Sequence, residues 1–158
     1  MPELPPPGSI VERVTARVLP VNAAGEVLLL HGWQPNEPDR RFWFTIGGAL
    51  EDGEDFAAAA VRELAEEVGV RIEASQLKGP LGTWSNAFAW GDWQIQQEET
   101  WYAVAVDTFD VVMDGMDQLE SETIDQAAWW RPDALDLDGT AVIPELTDRM
   151  RAAVALTR

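Results

Sequence analysis

Three glutamates near the middle of the chain, Glu63, Glu66 and Glu67, have the type and spacing needed to bind a metal ion. On a helix, which turns by about 100° per residue, their side chains fall within an arc of roughly 100°. Carboxylates on adjacent turns supply the oxygen ligands that Mg²⁺ holds in near-octahedral geometry. A solvated acidic helix face is the alternative, because like charges at this spacing repel one another only weakly.

Groups that suit a phosphate site flank the three glutamates in the sequence. Arg62 precedes Glu66 by one helical turn, within pairing distance on the same surface. Gly47 and Gly48 allow the backbone to approach a site closely, and Glu54 lies in the loop that enters the helix. These groups alone leave both alternatives open, a metal site and a solvated acidic face.

The elements that must position these groups begin with the helix itself, predicted over residues 55–68. Its apolar residues recur at helical spacing: Ala57, Ala60, Val61, Leu64 and Val68. Asp52 or Glu54 can cap the start of the helix, and Gly69 marks its end. We expect the apolar side to pack on a sheet while the neighbouring side presents the carboxylates.

Strand-like segments surround this helix and define the fold class. The predicted strands cover residues 11–21, 26–31, 40–46, 77–88, 94–106 and 127–131, and a closing helix covers 143–155. Strands that precede, separate and follow helices predict an α/β sandwich around a mixed sheet. We expect a Pro-rich segment at 1–9, a single domain at 10–158, and an acidic loop at 107–125.

The segment from Gly48 to Val70 resembles the Nudix box at every fixed position. The box reads glycine, five residues, glutamate, seven residues, and then Arg-Glu-apolar-any-Glu-Glu-any-Gly-apolar. The matching residues are Gly48, Glu54, Arg62, Glu63, Leu64, Glu66, Glu67, Gly69 and Val70. The order of strands around the box also looks like that of the family, so the chain is similar to bacterial, MutT-like Nudix hydrolases, with no subfamily indicated. Ile46 is a departure, since many members carry proline there.

This resemblance implies both a fold and a reaction. The fold is a Nudix-type α/β/α sandwich with a mixed β-sheet between helices. The reaction is metal-dependent hydrolysis of the diphosphate linkage in a nucleoside diphosphate joined to another moiety, a phosphorus-containing acid anhydride. Mg²⁺ or Mn²⁺ would polarise the phosphoryl oxygens and lower the pKa of the attacking water.

The resemblance also assigns roles to individual residues. The predicted metal ligands are Gly47, through its carbonyl oxygen, and Glu63, Glu66, Glu67 and Glu99. The predicted catalytic residues are Arg62, Glu63, Glu66 and Glu120, among which Arg62 orients the glutamates by ion pairing.

The general base has two candidates outside the box, because family members draw it from the box or from a glutamate on a later strand or loop. Glu120 lies in the acidic loop, and a loop can close over bound substrate and exclude water. Glu99 lies on a predicted strand, just before Trp101 and Tyr102, and a rigid strand better suits a metal ligand. We therefore predict Glu120 as the base.

The charge of the chain limits its partners. With a formal net charge of −17, the surface repels DNA, RNA and anionic lipid, whose binding depends on Lys and Arg. A phosphate-bearing substrate would be repelled as well unless a bound cation inverts the local field. Acidity that only confers solubility is the alternative, but a metal site accounts for both the charge and the box.

Composition predicts the compartment and leaves the assembly open. The chain has no cysteine, its first residues form neither a basic segment nor an apolar run, and no stretch approaches the ~20 apolar residues of a membrane span. We expect a cytoplasmic protein that binds a small-molecule nucleotide and neither nucleic acid nor membrane. Eight tryptophans fit base stacking, core packing or a homodimer surface.

Two further functions compete with the hydrolase. One is a catalytically silent Nudix-fold domain that binds a nucleotide and regulates a partner, although silent relatives usually lose a box glutamate and this chain has them all. The other, a plain acidic interaction domain, leaves the box unexplained. The identity of the substrate stays open among nucleoside diphosphate derivatives.

Overall fold

The computed structural model describes residues 5–113, 123–141 and 143–158. Within these ranges seven strands form one sheet: β1 (Ile10–Val21), β2 (Val27–Gly32), β3 (Phe42–Phe44), β4 (Ile46–Ala49), β5 (Leu77–Trp90), β6 (Trp93–Ala105) and β7 (Ile124–Trp130). The helices in the same ranges are α1 (Phe56–Val68), α2 (Pro132–Asp138) and α3 (Leu146–Thr157), with a 3₁₀ turn at Ala74–Gln76. None of these helices has the length and apolar character needed to cross a membrane.

The strand β1 lies at the centre of the sheet. It pairs in parallel with β6 along its whole length, from Ile10 opposite Gln94 to Val21 opposite Ala105. On its other side it pairs antiparallel with β4 and with β2, while β5 pairs antiparallel with β6. Both β3 and β7 pair with β2. Parallel and antiparallel pairs therefore occur together, which confirms the predicted mixed sheet.

Helices cover both faces of the sheet. Ala16 and Val18 of β1 belong to a buried cluster that includes Leu64 of α1. Leu19 belongs to a second cluster with Met150 of α3. Because successive strand residues point to opposite faces, β1 contributes to both cores. The arrangement confirms the predicted α/β/α sandwich.

The helix α1 begins at a side-chain cap and ends at a glycine. Asp55 is its N-cap, and the Asp55 Oδ1 atom accepts a hydrogen bond from the Ala58 backbone N–H at 2.8 Å. The predicted caps at Asp52 and Glu54 are therefore wrong. Gly69 ends the helix in the left-handed conformation, with φ of 78°, as predicted.

Several predicted boundaries differ from the structure. Residues 40–46 contain parts of two strands, since β3 pairs with β2 while β4 crosses over to β1. The last strand begins at Ile124 instead of residue 127, and the closing helix begins at Leu146 instead of residue 143. Pro132 starts α2, which the sequence analysis missed, because the fixed φ of proline suits the first position of a helix.

Candidate active site

The guanidinium of Arg62, on α1, holds the acidic residues of the site together. Its Nε and Nη2 atoms donate to the two carboxylate oxygens of Glu54 at 2.8 and 2.9 Å. The Nη1 atom donates to Glu63 at 2.9 Å and to Glu66 at 3.2 Å, and Nη2 also donates to the Ala49 carbonyl at 3.0 Å. These contacts use all of the N–H groups that an arginine has. Arg62 therefore links Glu54, Glu63 and Glu66 to one another and to β4.

Glu54 is the strongest partner of Arg62. Besides its paired contact with the guanidinium, its Oε1 atom accepts a hydrogen bond from the Glu51 backbone N–H at 2.8 Å. The hydrogen bond from Arg62 lowers the pKa of the Glu54 carboxyl below its ordinary value, and this effect exceeds the opposing effect of burial. The charged form of Glu54 therefore ties the loop before α1 to the helix.

The lowered pKa of Glu54 makes a prediction about pH. The ion pair stabilises the folded state above the pKa that Glu54 has in the unfolded chain, about 4.3, and this stabilisation is lost as the pH falls through the lower folded value. Between pH 6 and pH 3, a Glu54→Gln variant should therefore lose less unfolding free energy than the wild type does. Urea unfolding at a series of pH values measures the difference, with the exposed Glu12→Gln as the control. Equal pH dependence in Glu54→Gln and the wild type would refute the role of this pair.

Glu63 and Glu67 lie against β4, where two glycines leave room for them. The Gly47 backbone N–H donates to the Glu67 Oε2 atom at 2.9 Å. A Cβ atom added to Gly48 would lie 2.5 Å from the Glu63 Oε1 atom, so a larger residue there would displace the carboxylate. Both glutamates are buried, with 6% and 4% of their surface exposed. The adjacent glycines thus bring a backbone strand into contact with the helix carboxylates.

Burial and charge act in opposite directions on Glu63. Burial raises the pKa of its carboxyl and the nearby Glu66 adds to this, while the charges of Arg62 and Arg17 lower it; the net shift is upward. A carboxylate with a raised pKa accepts a proton more readily than an exposed one. A cation beside Glu63 would relieve the repulsion between the two acids.

Glu99, on β6, is placed outside the Arg62 network. Its two oxygens accept hydrogen bonds from Arg17 Nε and Asn86 Nδ2, each at 2.6 Å. Arg17 lies directly opposite Gly47 in the pairing of β1 with β4. The sequence analysis missed Arg17, although a charged residue between the buried Ala16 and Val18 was a signal that could have identified it.

The structure brings most of the predicted site residues together. Arg62 contacts Glu63 and Glu66, and Gly47 contacts Glu67. The metal-ligand role of Glu99 stays a prediction, because both of its oxygens already have protein partners. Glu120, the predicted base, lies outside the described residues.

The donor set fits a hard divalent cation. In the ranges that the structure describes, no three acidic or histidine side chains already surround one point as a ligand shell. Instead, one nitrogen of Arg62 lies between an oxygen of Glu63 and an oxygen of Glu66. The charged side chains at this place offer only oxygen ligands, the kind that Mg²⁺ and Mn²⁺ bind.

Two of the tryptophans serve in core packing. Trp43 and Trp101 are buried in the cluster beneath α3. The Arg149 guanidinium lies over the rings of Trp84 and Trp101, 3.7 and 4.4 Å from their centroids. For Trp43 and Trp101, core packing is therefore correct and base stacking is not.

Comparison with known proteins identifies the family to which this fold and box belong. A model of the NUDIX domain matches residues 11–150. The chain therefore belongs to the Nudix family. Over 69 residues, 44% of this chain, it is 39% identical to the Nudix hydrolase YvcI of Bacillus subtilis (strain 168). That match covers 39% of the relative's length.

Solved structures share the fold at low sequence identity. The E. coli dihydroneopterin triphosphate pyrophosphohydrolase superimposes with a TM-score of 0.67 and 20% identity, over 92% of this chain and 98% of that chain. The NUDIX domain of Shewanella oneidensis NrtR, determined as a complex with ADP ribose, gives a TM-score of 0.64 and 16% identity, over 90% and 86% of the two chains. These likenesses establish the fold.

Proposed function

We propose that this protein is a metal-dependent hydrolase that cleaves the diphosphate linkage of a nucleoside diphosphate derivative. The observation that carries the proposal is the way the box glutamates are held: Arg62, whose N–H groups are all used, binds Glu63 and Glu66, and the Gly47 N–H binds Glu67. Membership of the Nudix family and the complete box support it. We propose one catalytic domain over residues 10–158.

Mg²⁺, or Mn²⁺ in its place, is the proposed cofactor. Glu63, Glu66, Glu67 and the Gly47 carbonyl would hold it, and Glu99 would join them by exchanging one of its present contacts. When bound, the metal supplies charge that polarises the phosphoryl oxygens and lowers the pKa of water. It also offsets the repulsion between an acidic protein and a polyanionic substrate.

The side chains of the site have separate tasks. Arg62 restricts the directions of Glu63 and Glu66, so these carboxylates stay close together before substrate arrives. A glutamate accepts the proton of the attacking water, and Glu120 is the proposed acceptor. Glu63 is the second choice, since burial raises the pKa of its carboxyl.

The proposed substrate is a small molecule that contains a nucleoside diphosphate. Structural neighbours of this chain include an enzyme named for a pterin triphosphate and a domain determined with ADP ribose. Both compounds carry a linked phosphate chain on a larger organic group. We propose a compound of this kind here, with a nucleoside as part of the organic group.

A screen of nucleotide substrates tests the proposal. The purified protein would be incubated with nucleoside triphosphates, ADP ribose, nucleotide sugars and dinucleoside polyphosphates, with Mg²⁺ or Mn²⁺, and the products separated. We expect at least one compound to be cleaved at a diphosphate linkage by the wild type and by the control variant Glu98→Gln, an exposed acid on β6. The Glu63→Gln variant should not cleave this compound. Tight binding of a nucleotide with no cleavage of any would instead support the silent regulatory domain.

A further inference from the structure

A second cation, Arg17, lies beside the candidate active site and is held there by two neighbours. Glu99 accepts its Nε–H at 2.6 Å, and Asn86 in turn donates to the other oxygen of Glu99 at 2.6 Å. Glu99 is 6% exposed, so this ion pair lies within the sheet. A partly desolvated ion pair with a second hydrogen bond fixes the direction of the arginine side chain.

The Arg17 side chain lies beside Gly47 of β4, the strand that contacts the box glutamates. A Cβ atom added to Gly47 would lie 2.8 Å from Arg17 Cδ and 2.1 Å from the Ala16 carbonyl oxygen. The backbone N–H of this same Gly47 donates to Glu67. Arg17 and the box glutamates therefore meet at Gly47, where only glycine leaves room for both.

Arg17 and Arg62 differ in how many of their N–H groups are free to bind a ligand. All the N–H groups of Arg62 bind the protein. Arg17 uses only its Nε–H and one Nη1–H, the latter in a long contact of 3.4 Å to the Thr45 carbonyl. Its remaining N–H groups have no hydrogen-bond partner within the described part of the chain, and 16% of its side chain is exposed. Arg17 can therefore donate to a ligand without breaking its own anchor.

The overall charge leaves few other donors of this kind. The chain has 28 acidic residues against 11 lysines and arginines, so few cations are present to meet a phosphate chain. Arg149, another cation near Glu99, has its guanidinium over Trp84 and Trp101. Among the described residues, these contacts leave Arg17 as the cation best placed to bind phosphate beside the box.

We propose that Arg17 binds the phosphate oxygens of the diphosphate substrate through its unused N–H groups, while Glu99 and Asn86 hold it in position. This inference rests on the proposed hydrolase function, because it assigns the phosphate contact of that same site. Arginine presents its N–H groups in a planar fork that matches two phosphate oxygens. The contact adds binding energy and aligns the diphosphate with the metal ligands.

The test is the binding of magnesium pyrophosphate to Arg17 variants, measured by calorimetry. Arg17→Met removes the charge, and Arg17→Lys keeps it but loses the fork. Lys78→Met, an exposed cation on β5, is the matched control for net charge. We expect affinity to fall about 10–100-fold in Arg17→Met, the range for a lost charge-assisted hydrogen bond, and less in Arg17→Lys. The control should bind like the wild type.

Two further readouts separate this role from a structural one. With an active substrate, Arg17→Lys should raise KM while the metal concentration for half-maximal activity stays unchanged. In the wild type, magnesium pyrophosphate should protect Arg17 from phenylglyoxal, a measurement that does not depend on whether a variant folds. Equal affinity in folded Arg17 variants and the wild type, or no protection of Arg17, would overturn the inference. Failure of the wild type to hydrolyse any nucleotide would instead count against the proposed function.

Discussion

Glu67→Gln is expected to lower kcat/KM by about 10³-fold while the protein stays folded. The change removes a charge from the proposed metal site and almost no volume, and the new amide oxygen can still accept the Gly47 N–H. A bound metal contributes several kcal/mol of transition-state stabilisation, and each 1.36 kcal/mol corresponds to a factor of ten in rate. We therefore expect the loss of one buried ligand of the metal to lower kcat/KM by this amount.

Stability measurements distinguish this role from a structural one. Without metal, the variant should melt at or slightly above the temperature of the wild type, because one of several mutually repelling carboxylates is gone. Added Mg²⁺ should raise the melting temperature of the wild type more than that of Glu67→Gln. A large loss of stability, with activity reduced only in proportion to the folded fraction, would instead make Glu67 a structural residue.

The second large effect is expected at the general base. Glu120→Gln should lower kcat by about 10²–10⁴-fold, the usual contribution of a positioned proton acceptor. KM should change little, because the metal and not the base holds the diphosphate. Steady-state kinetics across a range of Mg²⁺ concentrations provides the measurement, and excess metal should not restore the lost activity.

The neighbouring candidates serve as comparisons for Glu120. Glu99→Gln, at a predicted metal ligand, should regain part of its activity in excess Mg²⁺. If Glu120→Gln keeps more than about a tenth of the wild-type kcat, well short of the contribution of a proton acceptor, the base must come from the box. Glu63 would then be the first choice, since its buried carboxyl has a raised pKa.

The fold and the helix that carries the box can be predicted well from the sequence, because both follow from short-range patterns. Helical spacing of Leu64 and Val68 places α1, and the turn at Gly91 and Asp92 places the start of β6, each to within one residue. Gly69 ends α1 because it adopts the left-handed conformation at little cost. Such signals depend on the residues of one element alone.

Features that depend on contacts between elements escaped the sequence analysis. Spacing places the carboxylates on the side of α1 next to the packing side, but it does not reveal that Glu63 and Glu67 are buried against β4, where Gly47 and Gly48 leave space. Val61, predicted for the packing side, is only half-buried. The pairing of Arg17 with Glu99 joins residues 82 positions apart, so no local pattern could reveal it.

The charges near α1 also show why a metal suits this site. Arg62 compensates Glu54 fully, with a hydrogen bond to each of its carboxylate oxygens. It gives only one nitrogen to the pair Glu63 and Glu66, so their charges are compensated less than that of Glu54. The site therefore retains negative charge that a divalent cation would neutralise.

The most direct test of the central claim is the rate of hydrolysis as a function of free metal. The protein would be stripped with a chelator, dialysed, and assayed on its best nucleotide substrate while Mg²⁺ or Mn²⁺ is added back. We expect turnover without metal to be no higher than that of Glu67→Gln, and a saturable recovery as metal is restored. Hydrolysis that continues unchanged after exhaustive chelation would contradict a metal-dependent mechanism at this site.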